Sequence, residues 1–161
     1  GSNIVEFSKS IKFLENLRIV PEQHKDILAL GNWRTPMNGA TIMFKKSCYY
    51  KSGGYPFDVK NFEDYILIAR FIKKKFKCHN IQKPLLFVRT NNSWISRRSG
   101  LNYLKSDFNL AKKLYNENLI NFFSFISHIF LRTIIRIMPS ILILKNYKIF
   151  FRTKFKIDSN E

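Results

Sequence analysis

NGATIMFKKSCYYKSGGYPFDVKNFEDYILIARFIKKKFKCHNI, running from Asn38 to Ile81, is the stretch on which the reading of this chain turns. An acidic pair, Glu63-Asp64, opens an amphipathic segment soon after the turn-forming pair Gly53-Gly54. Ile66, Ile68, Ala69, Phe71 and Ile72 recur at helical spacing and predict a helix over 63–75 with one core-facing side. Lys73-Lys74-Lys75 lie at its C-terminal end, where the helix dipole favours cations. Upstream, the apolar run Thr41–Phe44 reads as a short buried strand closed by Lys45-Lys46. Ser47 is placed to cap a short helix through Lys51, ended where Gly53-Gly54 make a positive φ available. A carboxylate at a helix start is expected to be held by backbone N–H groups and kept ionised. Taken alone, such a pair is more readily a helix start signal than a site of proton chemistry.

Outward from this stretch, residues 3–31 form two modest amphipathic segments parted by Val20-Pro21, and Pro21-Glu22 suits a helix start. Cys78–Ile81 and Leu85–Val88 read as two strands around Pro84. Residues 90–96 form a polar loop. Helices are predicted over 100–116, 119–137 and 140–151, with Pro139 as the breaker. Strands and helices therefore mix in the first part and helices alone follow. This is an α/β chain with a boundary near residue 100, giving segments 1–100 and 101–161.

Charge is divided in the same way. Of 161 residues with a formal net charge of +17, residues 1–66 hold nine Lys/Arg against seven Asp/Glu, and residues 67–161 hold nineteen against four. The second part is where an anionic partner would be held. Hydrophobic residues at 45% exclude a disordered composition. Cys48 and Cys78 are too few for a disulfide framework or a structural zinc site and read as buried thiols. His24, His79 and His128 have no ligand spacing, and no Ser/His/Asp or Cys/His set can be assembled. Lys73–Lys77 resembles a nucleic-acid patch in isolation, but no helix-turn-helix, zinc-finger or RNP signature accompanies it, so nucleic acid is not an expected partner. Leu119–Leu131 is apolar or weakly polar for thirteen residues before Arg132, short of the roughly twenty that a spanning helix needs. Asn146–Lys156 interleaves cations with aromatics. Such a tail suits the headgroup region of an anionic leaflet, or else packs its apolar face on the domain.

The ordered set Pro36-x-Asn38, Phe44-Lys45-Lys46, Gly53-Gly54-Tyr55, Glu63-Asp64-Tyr65, Asn80-Ile81, Arg89, Arg97-Arg98-Ser99-Gly100 with Tyr103, then Pro139 and Tyr147, resembles the C-terminal half of the inverting GT-A glycosyltransferases of family 2. The subgroup it is most similar to acts in bacterial O-antigen, capsule and exopolysaccharide assembly. The resemblance spans about residues 3–152. It implies the C-terminal portion of a GT-A, Rossmann-like fold with a helical C-terminal extension. Residues 1–100 would be the acceptor-side part of the catalytic domain, and 101–161 a basic, membrane-associating extension. It implies transfer of a sugar from a nucleotide-sugar donor to a lipid-linked saccharide, peripherally at the cytoplasmic face of the inner membrane.

By position in the motif, Asp64 would be the general base and Glu63 its support. Inverting transfer needs a carboxylate that takes the acceptor hydroxyl's proton as that oxygen attacks the anomeric carbon. Arg97 and Arg98 fit a diphosphate, since guanidinium forks match phosphate oxygens, and equally fit a solvated basic loop. Trp94 and Tyr55 are candidates to stack on a sugar face or to anchor their loops. Asn38 is carried over as a substrate-binding candidate.

Two departures stand out. The family turn usually reads Asn-His, and this chain has Asn38-Gly39. No Asp-x-Asp occurs, and the family's metal motif and nucleotide-binding half would lie upstream. The chain is therefore expected to hold no cofactor and to be inactive alone, with Mg or Mn serving the complete enzyme. The opening Gly-Ser has the look of a vector scar. A partial sheet is expected to expose an edge that pairs with a second copy.

Overall fold

The computed structural model describes residues 1–90, 100–137 and 153–154 of the chain, which is mixed α/β. Its elements are β1 (Ser2–Phe7), β2 (Leu14–Arg18), α1 (His24–Gly31), a 3-10 turn (Gly39–Thr41), α2 (Lys46–Lys51), α3 (Glu63–Lys73), β3 (Ile81–Arg89), α4 (Gly100–Asn116), α5 (Phe122–Ile137) and the two-residue β4 (Thr153–Lys154). The sheet order is β3-β1-β2-β4. β1 pairs antiparallel with β2, with Val5 opposite Leu17, and parallel with β3, with Val5 opposite Phe87.

β1 is buried along its whole length, because both its edges are paired and its Ile4, Val5 and Phe7 fill the interior. Its buried polar residues are satisfied locally. Asn3 donates from Nδ2 to the Gln82 carbonyl (2.9 Å) and accepts at Oδ1 from the Val20 N–H (2.9 Å), tying β3 to the end of the hairpin. The first amphipathic segment is thus a β-hairpin, and only the second forms a helix. Asn80, fully buried before β3, donates to the carbonyls of Pro21 (2.7 Å) and Pro36 (3.1 Å) and locks both loops to the sheet.

α3 is the central helix. Tyr65 through Ala69 and Phe71 are all buried, with Ile66, Leu67 and Ile68 completely so. Burial of such a side chain contributes roughly 1.5–3 kcal/mol. Val59, Tyr65, Ile66 and Ala69 share one apolar cluster with Leu110 and Leu114 of α4 and with Ile120. α4 and α5 form a helical hairpin turned at Asn118 (φ 54°), and the Asn121 Oδ1 caps α5 by accepting from the Ser124 N–H (2.8 Å). Between them, the buried carboxylate of Asp107 accepts from Arg132 (2.6 Å) and Arg136 (2.7 Å). The same guanidinium groups lie over the rings of Phe62 and Tyr103, at 5.2 and 4.3 Å. No described helix is long and apolar enough to cross a membrane.

Two sequence expectations are corrected. Thr41–Phe44 is not a buried strand: a 3-10 turn leads into an extended segment that joins no ladder, and Met43 is 91% exposed. Thr41 spends its hydroxyl on the chain around Ser2 and Asn38 instead. The two strands around Pro84 are one, β3, in which Pro84 sits where the register with β1 slips. Asp107 draws Arg132 and Arg136, which follow the apolar run Leu119–Leu131, inward between α4 and α5. The helix expected over 140–151 lies outside the described residues.

Candidate active site

The site is built where the first turn of α3 meets two loops. Asn61, in the left-handed region (φ 75°), reverses the chain so that Phe62 becomes the residue before the helix. Glu63 and Asp64 then occupy the first turn, as expected. They are used differently. The Glu63 Oε1 accepts from the Asn61 backbone N–H (3.1 Å), so Glu63 braces the entry to the helix. Asp64 accepts a hydrogen bond from the Tyr55 hydroxyl.

The surroundings of Asp64 reverse one expectation. Its pKa is raised, not lowered: burial dominates, the Tyr55 hydrogen bond opposes it, and the Glu63 charge adds to the rise. The Asp64 side chain leans back over the 3-10 turn instead of reaching the helix N–H groups. A Cβ built on Gly39 would lie 1.8 Å from Asp64 Oδ2. Only a residue without a side chain lets the carboxylate rest there. A carboxylate with elevated proton affinity is better matched to base catalysis near neutrality than an ordinary Asp.

Both loops are fixed from behind. Asn38 is buried, its Nδ2 donating to the Ser2 carbonyl (2.6 Å) and its carbonyl accepting from the Thr41 N–H (2.9 Å). It therefore anchors the turn that presents Gly39, with its Oδ1 buried and unpartnered. Tyr55 donates its backbone N–H to the Tyr49 hydroxyl (3.3 Å), and the two rings meet edge to face at 5.7 Å. Gly54 (φ 64°) brings the chain close over Tyr49, where a Cβ would lie 2.9 Å from the ring. The Gly53 and Gly54 carbonyls accept from Arg70 Nη1 (3.3 and 2.6 Å), and Arg70 is held by Glu117 in a two-pronged pair (2.6 and 2.7 Å).

The structure thus brings together Asp64, Glu63, Tyr55 and the Asn38 turn. Tyr55 faces the carboxylate and Tyr49. Arg89 lies over the Phe7 ring at 5.3 Å, away from this assembly in sequence and in the sheet. Trp94, Arg97 and Arg98 lie outside the described residues. Gly39 and Tyr49 escaped the sequence reading as site residues. The departure from Asn-His at Gly39 was the available signal, whereas nothing in the sequence marks Tyr49. Among the described residues no three His, Cys, Asp or Glu side chains converge as a metal site would require.

Comparison with known proteins gives the chemistry a context. No family model matches the chain, and no solved structure does. The chain is 30% identical over 152 residues to an uncharacterized glycosyltransferase of Haemophilus influenzae, covering 94% of this chain and 56% of that protein. It is 27% identical over 139 residues to the amylovoran biosynthesis glycosyltransferase AmsE of Erwinia amylovora, covering 86% and 51%. It is 29% identical over 124 residues to the UDP-Gal:alpha-D-GlcNAc-diphosphoundecaprenol beta-1,3-galactosyltransferase of Escherichia coli, covering 77% and 44%. The chain spans about half the length of these curated relatives, and what it is similar to in each is a glycosyltransferase.

Proposed function

We propose that this chain is the acceptor-side, C-terminal portion of an inverting GT-A glycosyltransferase of family 2, with Asp64 as its general base. The observation that carries this reading is the half-buried Asp64 carboxylate, held between the Tyr55 hydroxyl and the bare Gly39 backbone. In the step proposed, the acceptor hydroxyl gives its proton to Asp64 while its oxygen forms a bond to the anomeric carbon. The bond from that carbon to the nucleotide diphosphate breaks on the opposite side, and the diphosphate leaves with the electron pair. Glu63 holds the helix entry, and Asn38 acts through the Gly39 turn. Arg97 and Arg98 are proposed for the diphosphate and Trp94 for a sugar face. The donor is a nucleotide sugar and the acceptor a lipid-linked saccharide of a bacterial surface polysaccharide, a proposal supported by the names of the relatives. Mg or Mn in the complete enzyme would be held by residues other than those described, and no step is routed through it.

The test is Asp64→Asn in the complete enzyme. Binding of the nucleotide sugar should persist while transfer to a lipid-diphosphate saccharide is lost, and product formation at the parent rate would reject the assignment.

A second reading, association with an anionic membrane surface, has its own observation. α5 leaves Phe122, Phe123, Ile126, Phe130 and Ile134 exposed along one side, with Phe123 80% exposed. Such a face suits the boundary between headgroups and acyl chains, and the positive charge of the second part suits an anionic leaflet. A peripheral location on the cytoplasmic side of the membrane, together with the lipid-linked acceptor, is the localisation proposed with this reading. The edge strand β3, with Leu85 and Phe87 largely exposed, is the proposed seam for a homodimer.

A further inference from the structure

We propose that Tyr55 and Gly39 are the positioning residues of the Asp64 carboxylate, clamping it from two sides, an inference that rests on reading Asp64 as the base. Gly39 sets where the carboxylate can lie. With Oδ2 1.8 Å from the place a Cβ would occupy, any side chain at position 39 displaces it. The Gly39 turn cannot retreat easily, because Asn38 is tied to β1 through a buried 2.6 Å hydrogen bond and Thr41 closes the turn on the Asn38 carbonyl (2.9 Å). Tyr55 sets the orientation. Its hydroxyl donates to Asp64, and the Tyr49 hydroxyl and ring fix its own position. Tyr49 is in turn stacked on Phe44 at 5.6 Å, within 8° of parallel.

The chemistry of this arrangement differs from that of a carboxylate bound by backbone N–H groups. Burial raises the pKa of Tyr55, followed by the charge of Asp64, so its hydroxyl stays protonated and donates. One lone pair of Asp64 is thereby engaged, and the remaining ones are free to receive the proton of an acceptor hydroxyl. Among the described residues, the titratable groups bearing on Asp64 are Tyr55 from its loop and Glu63 from its own helix, with Tyr49 of α2 behind Tyr55. The two positioning residues act in opposite senses. Tyr55 favours the ionised carboxylate by donating to it, whereas the Gly39 turn favours the protonated form by keeping water away.

The experiment is a carbon-13 NMR titration of the Asp64 carboxyl in the 161-residue chain, in the parent, in Tyr55→Phe and in Gly39→Ala. Tyr55→Phe should move the midpoint up, and Gly39→Ala should move it down towards that of an ordinary Asp as the carboxylate swings into solvent. An unchanged or lowered midpoint in Tyr55→Phe overturns the proposal. That variant deletes a single hydroxyl, so it decides the matter even where Gly39→Ala fails to fold. In the complete enzyme, Tyr55→Phe should lower kcat on the order of 10²-fold, the cost of a mispositioned group. KM should hold, and the acidic limb of the rate profile should move to higher pH. Parent-like kcat with an unmoved limb also counts against the clamp. Failure of the base reading shows separately, as transfer surviving Asp64→Asn while the carboxyl titrations still shift.

Discussion

Asp107 is the residue whose partners can be removed with the most calculable result. Its carboxylate is 2% exposed and receives Arg132 Nη1 at 2.6 Å and Arg136 Nε at 2.7 Å, from side chains themselves only 17% exposed. Replacing both arginines by methionine keeps most of their apolar bulk but strands a buried charge, and breaking a buried pair this way costs about 3–5 kcal/mol. For a domain of this size, about 2–4 °C of melting temperature goes with each kcal/mol, so the double variant should melt roughly 6–20 °C lower. Each single variant leaves one charge-assisted bond in place and should lose about 1.5–3 kcal/mol. Adding Asp107→Leu to the double variant removes the stranded charge and should restore most of the loss, because apolar replacement of a buried ion pair is often neutral. Far-UV circular dichroism melts at low and high salt read all of these, with little salt dependence expected of a buried cluster. The arginines also lie over Phe62 and Tyr103, whose rings meet at 5.5 Å beside the entry to α3. Damage here should therefore lower transfer as well as stability. A double variant melting within about 2 °C of the parent, or a triple variant no better than the double, refutes the reasoning.

Two further outcomes follow from the same structure. His128 is buried against the Asn32 carbonyl (Nε2 to O 2.7 Å) with Nδ1 unpartnered, and burial first, then Arg132, hold its pKa below the usual histidine value despite the Asn32 contact. The unfolded chain then takes up a proton before the folded one does, so stability is full above about pH 6.5 and falls as the pH drops below it. Melting curves from pH 7.5 to 5 should show this loss, and His128→Asn should flatten it; an equal slope in the variant contradicts the assignment. For α5, vesicles rich in anionic lipid should sediment the protein at low salt, and Phe123→Ser with Phe130→Ser should weaken that binding. Neutral and anionic vesicles capturing the protein equally would reject the electrostatic part of the reading.

How much of this was legible in the sequence depended on how local the cause was. α2, α3, α4 and the Gly53-Gly54 turn follow from periodicity and turn chemistry within a few residues, and the structure places them close to where they were expected. Sheet pairing is not local. β3 is continuous through Pro84 because β1 runs beside it, and Asn3 and Asn80 join segments far apart in the chain. A four-residue apolar run such as Thr41–Phe44 carries no signal that separates a buried strand from an exposed extended segment. The Glu63-Asp64 pair was readable as a site, but the raised proton affinity of Asp64 was not. It arises from Gly39 and Tyr55, which reach the carboxylate only through the fold. Arg132 and Arg136 show the same limit: helical spacing shows that they share a side of α5, whereas Asp107 on α4 decides that the side faces inward.

The central claim is that Asp64 takes the acceptor proton, and single-turnover transfer by Asp64→Asn in the complete enzyme tests it most directly. Asn keeps an acceptor for the Tyr55 hydroxyl and removes a charge that burial disfavours. Because the folded pKa of Asp64 is raised, ionised Asp64 opposes folding as the pH rises through that pKa. The variant should therefore melt at or above the parent temperature at neutral pH. Its transfer rate should fall by about 10²–10⁴-fold, the range of general-base catalysis. A well-folded Asp64→Asn enzyme transferring sugar at the parent rate would contradict the account.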